Sequence, residues 1–295
     1  MISLRRTLGL FLAAFTALAA ASAAAGEAVR PVVVELYTSQ GCNSCPPADA
    51  LLGKLAQRPG VIAISLPITY WDMLGWKDTL ASDNNTRRQK AYAAAMNHGG
   101  VYTPQIIVDG VVDVVGSRTA NVEAAIAARR AAIQSAIAVT LARADMARAA
   151  ADIARADTAA APAAAAVQAA PPMPARPADP VIPVSMRQFP QEMRIDIGAT
   201  PGAQNATVWM FHLRSSVSVN VAAGENEGRT IVYHNVAGDV RALGTYKGSA
   251  MTITLPRTAM SGLPHDGVAV IVQQDGYGHV IGAAYVARPS YYAQQ

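Results

Sequence analysis

Hydrophobic and polar positions change rhythm three times along the chain, and each rhythm predicts different elements. "PVVVELY" (31–37) is a short β-branched run, and "PPADALLGKLAQ" (46–57) places Leu51, Leu52 and Leu55 at helical spacing. "VIAISL" (61–66) is a second apolar strand, followed by a helix from about Ser82 to Met96. "PQIIVDG" and "VVDVVG" then read as two strands joined at Asp109-Gly110, a dipeptide that tight hairpins favour. Ser117 is placed to cap a further helix through Val122 and Ile126.

The second rhythm is alanine. From Ala124 to Pro180 the chain keeps Ile126, Ile133, Ile137 and Leu141 at spacings of seven and four, which predicts helix to about residue 140 and fraying helix beyond. Proline then joins alanine in "APAAAAVQAAPPMPARPADP", which predicts a flexible linker from about 158 to 180. From Val181 a third rhythm begins. "VIPVSMR", "EMRIDIGA", "ATVWMFHL", "GRTIVYHNV", "MTITLP", "GVAVIVQQ" and "VIGAAYVA" are short strands between Gly, Pro and Asn turns, the pattern of a small β-sandwich.

The chain begins with Arg5 and Arg6, an apolar run from Leu8 to Ala21 and then small residues, which is the layout of a secretory signal peptide cleaved near Ala23 to Ala25. The expected organisation is therefore a signal peptide at 1–25 and an α/β domain with a C-terminal helix at 26–140. An Ala/Pro-rich segment at 141–180 passes from helix to disorder, and a β-sandwich-like domain fills 181–295. The mature protein is expected in the periplasm or secreted, with no stable membrane insertion once the leader is removed, and no other segment reads as a span. Without Arg5 and Arg6 the charge is nearly balanced, 22 basic residues against 20 acidic. Basic residues do not interleave with aromatics, so nucleic acid is not an expected partner.

Chemistry is concentrated in "TSQGCNSCPPAD" (38–49), which holds the chain's two cysteines, Cys42 and Cys45. The βαβαββα order with this pair between the first strand and its helix is the thioredoxin arrangement. At a helix start, unpaired backbone N–H groups favour a thiolate, so Cys42 is the expected attacking sulfur and Cys45 the resolving one. Pro46 and Pro47 fall in the first helical turn, where a missing N–H costs little. Thr103-Pro104 precedes the third predicted strand, where thioredoxin-like folds carry a cis-proline; Thr103 would lend its backbone to a substrate strand and Pro104 would shield the sulfurs. "YWDMLGWKD" follows the second strand at the same sheet end. Trp71 is a candidate wall beside the site, while Trp76 reads as a core cover. Asp49 reads as a stabilising first-turn carboxylate. His98 with Gly99 and Gly100 reads as a helix end. His212, His234, His265 and His279 have no metal spacing and are expected in solvated or structural roles.

"VVELYTSQGCNSCPPADALLGKLA", "YWDMLGWKD", "GVYTPQIIVDG" and, downstream, "GENEGRTIVYHNV" resemble the DUF1223 family of exported bacterial proteins. The resemblance covers about 31–128 and 181–286, and it implies a thioredoxin-like domain with a β-rich tail. Many members have "HVDYWD" where this chain has "PITYWD", so Pro67 and Thr69 replace a His and an Asp, and no acid–base role falls there. Two functions follow. One is an exported thiol–disulfide oxidoreductase acting, without cofactor or metal, on periplasmic protein thiols or disulfides or on a redox partner. The other is a binding or structural module with a permanent Cys42–Cys45 disulfide. A soft-metal or copper-handling protein is a third reading.

Overall fold

The computed structural model describes residues 30–157, 180–200, 203–260 and 265–287. The expected signal peptide and the proline-rich half of the expected linker lie outside these residues. The first part follows the predicted order. β1 (Val32–Thr38), α1 (Pro46–Ala56), β2 (Val61–Pro67), α2 (Asp83–Ala95), β3 (Gln105–Val108), β4 (Val112–Val115) and α3 (Thr119–Asp157) succeed one another, with a single 3-10 turn at Asp72–Leu74. β1 pairs parallel with β2 and antiparallel with β3, and β3 pairs antiparallel with β4. Every residue of β1 is buried. A strand buried on both faces has no polar side to present, which is why its pattern is a run and not an alternation. Val33 and Tyr37 enter the core that includes Tyr92 of α2, whereas Val32, Val34 and Leu36 pack on Leu51, Leu52 and Leu55 of α1 and on Val122, Ile126 and Ile133 of α3.

Local signals account for most ends. Ser82 caps α2 by accepting from the Asn85 N–H. At the β3–β4 turn both Asp109 (φ 52°) and Gly110 (φ 76°) are left-handed, as a tight hairpin requires. Three expectations shift. α3 begins at Thr119, with the Asn121 and Val122 N–H groups donating to the Arg118 carbonyl, so Ser117 lies outside the helix. The left-handed residue after α2 is Asn97 (φ 56°), ahead of the glycines, and the His98 ring bonds Asp113 at 3.2 Å. α3 runs helical to Asp157, past the expected 140, and its Thr119–Arg155 stretch is long and apolar enough to cross a membrane, contrary to the sequence reading. Alanine supplies that character. The helix's first half packs its Val122, Ile126 and Ile133 stripe on the sheet, the behaviour of a core helix.

The seven predicted strands of the last part are β5 (Val184–Gln188), β6 (Glu192–Ile197), β7 (Ala206–Asn220), β8 (Thr230–Tyr246), β9 (Met251–Pro256), β10 (Gly267–Gln274) and β11 (Val280–Ala287). β5, β6 and β9 form a small sheet whose Met193, Ile195 and Ile197 pack on Val208, Met210, Val268, Val270 and Val272, so two layers do face each other. The larger layer does not stop at the alanine-rich segment. One eight-stranded sheet runs β11-β10-β7-β8-β2-β1-β3-β4, crossing between the two parts where Ser65 of β2 pairs with Val236 of β8. Alternate residues of β10 serve opposite sides: Val268, Val270 and Val272 face the small sheet, while Ala269 and Ile271 join the core containing Val33 and Tyr92. β8 also crosses α1 closely. A Cβ on Gly53 would lie 2.5 Å from His234 Cδ2, so that crossing requires glycine.

Candidate functional site

The sulfurs sit where β1 hands over to α1. Cys42 and Cys45 are joined in a disulfide, with Cα atoms 5.4 Å apart. Cys45 occupies the N-cap position, Pro46 and Pro47 the first turn, and the Ala48 and Asp49 N–H groups donate to the Cys45 carbonyl. The Cys42 sulfur is 3.5 Å from the Ser44 hydroxyl. Cys45 is fully buried and Cys42 is 3% exposed, whereas Asn43 and Ser44 between them are exposed.

Three further segments converge on this turn. Thr103-Pro104 is a cis peptide. A Cβ on Gly116 would lie 3.1 Å from Ala48 Cβ and 3.3 Å from Pro104 Cβ, which brings the proline, the end of β4 and the first turn of α1 together. Trp71 ties the segment after β2 to the same place: its indole N–H donates to the Thr103 hydroxyl at 2.7 Å, and its Cβ would stand 3.3 Å from a Cβ on Gly41. Trp76, expected as a core cover, is also part of the site. Its N–H donates to the Gln40 side-chain oxygen at 2.8 Å, and the Gln40 N–H donates to Asp78 at 2.7 Å. Thr69 bonds Asp83 and Thr86 at the start of α2.

The structure corrects the reading of Asp49. It is 2% exposed, neither carboxyl oxygen has a well-formed hydrogen-bond partner among the described residues, and burial raises its pKa to about 8. The neighbouring Thr38 hydroxyl lowers it in part and Asp78 raises it further. Asp49 therefore holds a proton at neutral pH and is not a first-turn anion. Burial likewise raises Asp78, despite donations from the Gln40, Leu80 and Ala81 N–H groups. Proximity to a helix start is a sequence signal, but whether β8 covers the carboxyl is not.

The C-terminal part supplies a contact no sequence motif announced. Asn226, between β7 and β8, is fully buried, and its amide donates to the carbonyls of Gln40 and Cys42, both at 2.9 Å. Glu225 accepts from the Asn43 N–H at 3.1 Å. His234 lines a cavity with Pro46 and Asp49 beside the site. His212 is buried and stacks on His265 with centroids 4.5 Å apart, and His234 lies on α1. Among the described residues no three His, Cys, Asp or Glu side chains converge as metal ligands would.

Together these features define a mixed α/β protein, one large sheet and one small, with a CxxC-spaced disulfide at a strand–helix junction. The chain belongs to the family described as "Protein of unknown function (DUF1223)", whose model matches residues 33–175 and 155–273. It is similar to the crystal structure of protein AGR_C_4864 from Agrobacterium tumefaciens, with 29% identity, a TM-score of 0.63, and coverage of 88% of this chain and 95% of that one. HBP35 of Porphyromonas gingivalis is similar in fold at 9% identity, with a TM-score of 0.50 and coverage of 90% of this chain and 78% of that one. No curated protein sequence matches.

Proposed function

We propose that this protein is an exported thiol–disulfide oxidoreductase built on a thioredoxin-like unit, acting on protein thiols or disulfides in the periplasm or outside the cell. One observation carries the reading: the chain's two cysteines form a disulfide across the turn that leads into α1, beside the cis Thr103-Pro104 peptide and the Trp71 indole bonded to it. The strand order β2-β1-β3-β4, with α1 and α3 on one face and α2 on the other, supports the fold assignment. The compartment rests on the leader-like residues 1–25.

In the oxidising direction, a substrate thiolate attacks the Cys42 sulfur, the S–S bond breaks, and Cys45 leaves as a thiolate. A second substrate thiolate then attacks the substrate sulfur of the mixed disulfide. This releases Cys42 as a thiolate and a substrate disulfide, with two electrons passed to the protein. The same steps reversed, with Cys42 attacking and Cys45 resolving, reduce a substrate disulfide. Pro46 and Pro47 bring no N–H groups of their own to the first turn of α1, so the helix dipole is what would favour the Cys42 thiolate. Asp49, with its pKa raised to about 8 by burial, lies one turn beyond Cys45 and is a buried acid on the same end of α1. Thr103 would offer backbone groups to a substrate strand beside Pro104, and Trp71 fixes the Thr103 side chain.

The burial of both sulfurs favours a second reading, a permanent structural disulfide in a binding module. A trapping variant separates the two. Cys45→Ala in the mature chain is expected to accumulate mixed disulfides through Cys42, resolved on non-reducing gels, while Cys42→Ala traps little. If neither variant accumulates any, the structural reading stands.

A further inference from the structure

Cys42, the attacking residue of the proposed exchange, is 3% exposed, and the residue that fastens its loop comes from 184 positions later in the chain. We infer that Asn226 is a positioning residue that latches the CxxC loop from the β7–β8 tip, and that the Cys42 sulfur meets an incoming thiolate only when this tip lifts. The inference deepens the oxidoreductase reading, but its central test needs no protein substrate.

Four observations carry it. Asn226 is fully buried and spends both amide hydrogens on the CxxC loop, one to the Gln40 carbonyl and one to the Cys42 carbonyl, each at 2.9 Å. Its own oxygen accepts from the exposed Arg229 at 2.9 Å, which fixes the amide the right way round. Glu225 holds the next link of the loop by accepting from the Asn43 N–H. The tip is braced internally, Val221 N–H to the Arg229 carbonyl at 3.0 Å and Gly228 N–H to the Val221 carbonyl at 2.9 Å, and it rests against Trp76, from whose Cβ a Cβ on Gly224 would lie 3.2 Å, so lifting the tip parts that contact as well. The Cys42 carbonyl also accepts from the Cys45 N–H at 3.1 Å, so the amide is its second donor, whereas the Gln40 carbonyl lies outside helix and ladder, where a buried acceptor without a donor is costly. The latch therefore satisfies the loop when closed, and water satisfies the same carbonyls when it is open.

The test measures reduction of the disulfide in the mature full-length protein by glutathione. A glutathione thiolate attacks Cys42, Cys45 leaves, and a second glutathione releases glutathione disulfide and the Cys42 thiolate; the two thiols supply the two electrons. Asn226→Ala is expected to speed the first attack about tenfold, the order of two lost hydrogen bonds to a neutral amide. Glu225→Gln keeps an acceptor for the Asn43 N–H and is expected to leave the rate within about twofold, showing that the latch acts by hydrogen bonding and not by charge. Should Asn226→Ala fail to fold, Arg229→Met at an exposed position loosens the amide and is expected to speed attack by a smaller factor. Unchanged or slower reduction in a folded Asn226→Ala, or in a folded Arg229→Met, overturns the latch. Absence of trapping by Cys45→Ala defeats the oxidoreductase reading alone, because these rates are read with glutathione.

Discussion

Glu35 and Asp49 are two fully buried carboxyl groups within fifteen positions of each other, and the protein treats them oppositely. Glu35, on β1, is surrounded by donors: Arg88 Nε at 2.6 Å, Arg88 Nη2 at 2.9 Å and the Tyr92 hydroxyl at 2.7 Å. The guanidinium is itself enclosed by Tyr92, Trp209, Phe211 and Tyr277, whose ring centres lie 5.2–5.5 Å away, and it donates to Gln273 of β10. Cation–π contact and a matched ion pair repay desolvation that neither charge alone could bear. Because Trp209, Phe211, Gln273 and Tyr277 come from the C-terminal part, this cluster also joins the two halves of the sheet. Asp49, on the other side of β1 and beneath the cysteine turn, has no such partner and stays protonated to about pH 8. A buried carboxyl is a fastener where its donors are supplied and a proton store where they are withheld.

Breaking the fastener should have the largest effect. Arg88→Ala leaves Glu35 buried and unpaired, and is expected to cost about 3–5 kcal/mol in denaturant unfolding. Adding Glu35→Gln should recover part of that loss, and full additivity of the two changes would show that they do not act as a pair.

At Asp49 the sign reverses. A folded-state pKa of about 8, against an ordinary value near 4 in the unfolded chain, means that the parent loses stability as pH rises through that interval. Asp49→Asn removes the dependence, so its stability in thermal melts should exceed the parent's increasingly from pH 5 to pH 8, the gap widening by on the order of 3 kcal/mol. Parallel melting curves for parent and variant across that range would show that Asp49 is ionised throughout.

His212 sharpens the comparison on the acid side. Burial first, then His265 and Arg241, lower its pKa to about 4, with Asp239 opposing. The unfolded chain takes up this proton near pH 6.5, so stability is lost as pH falls from about 6.5 to 4, and His212→Gln should flatten that limb in thermal melts. The smallest change is uncharged. Trp71→Phe removes one indole–hydroxyl bond and should cost about 1 kcal/mol in unfolding; a cost as large as that of Arg88→Ala would mean that Trp71 belongs to the core.

The cysteine spacing, the prolines behind it and Asp109-Gly110 identified the strand–helix junction and the β3–β4 turn because these signals act over a few residues. Val34, Leu36, Leu51 and Val122 could be assigned to a core for the same reason: period and composition report burial locally. Other features were not legible. "RSSVSVN" and "AGDVRALGTY" lengthen β7 and β8 to 15 and 17 residues, and the arm that "RSSVSVN" forms with the first half of β8 carries Asn226 to the cysteines. Trp76 and Trp71 look alike in sequence, yet their partners, Gln40 and Thr103, lie 36 and 32 positions away.

By itself the sequence determined the elements, the paired cysteines at a helix start and the alanine-rich interruption, since each follows from backbone preference and hydrophobic period within a short window. The tertiary structure decided that β8 lies beside β2 and makes one sheet of two parts, that Arg88 reaches Glu35 while no cation pairs with Asp49 among the described residues, and that the Asn226 amide bonds the Cys42 carbonyl. Desolvation and hydrogen-bond pairing depend on which distant atoms arrive at a group, and pairings across 53 positions for Arg88–Glu35 and 184 for Asn226–Cys42 exist only once the chain has folded.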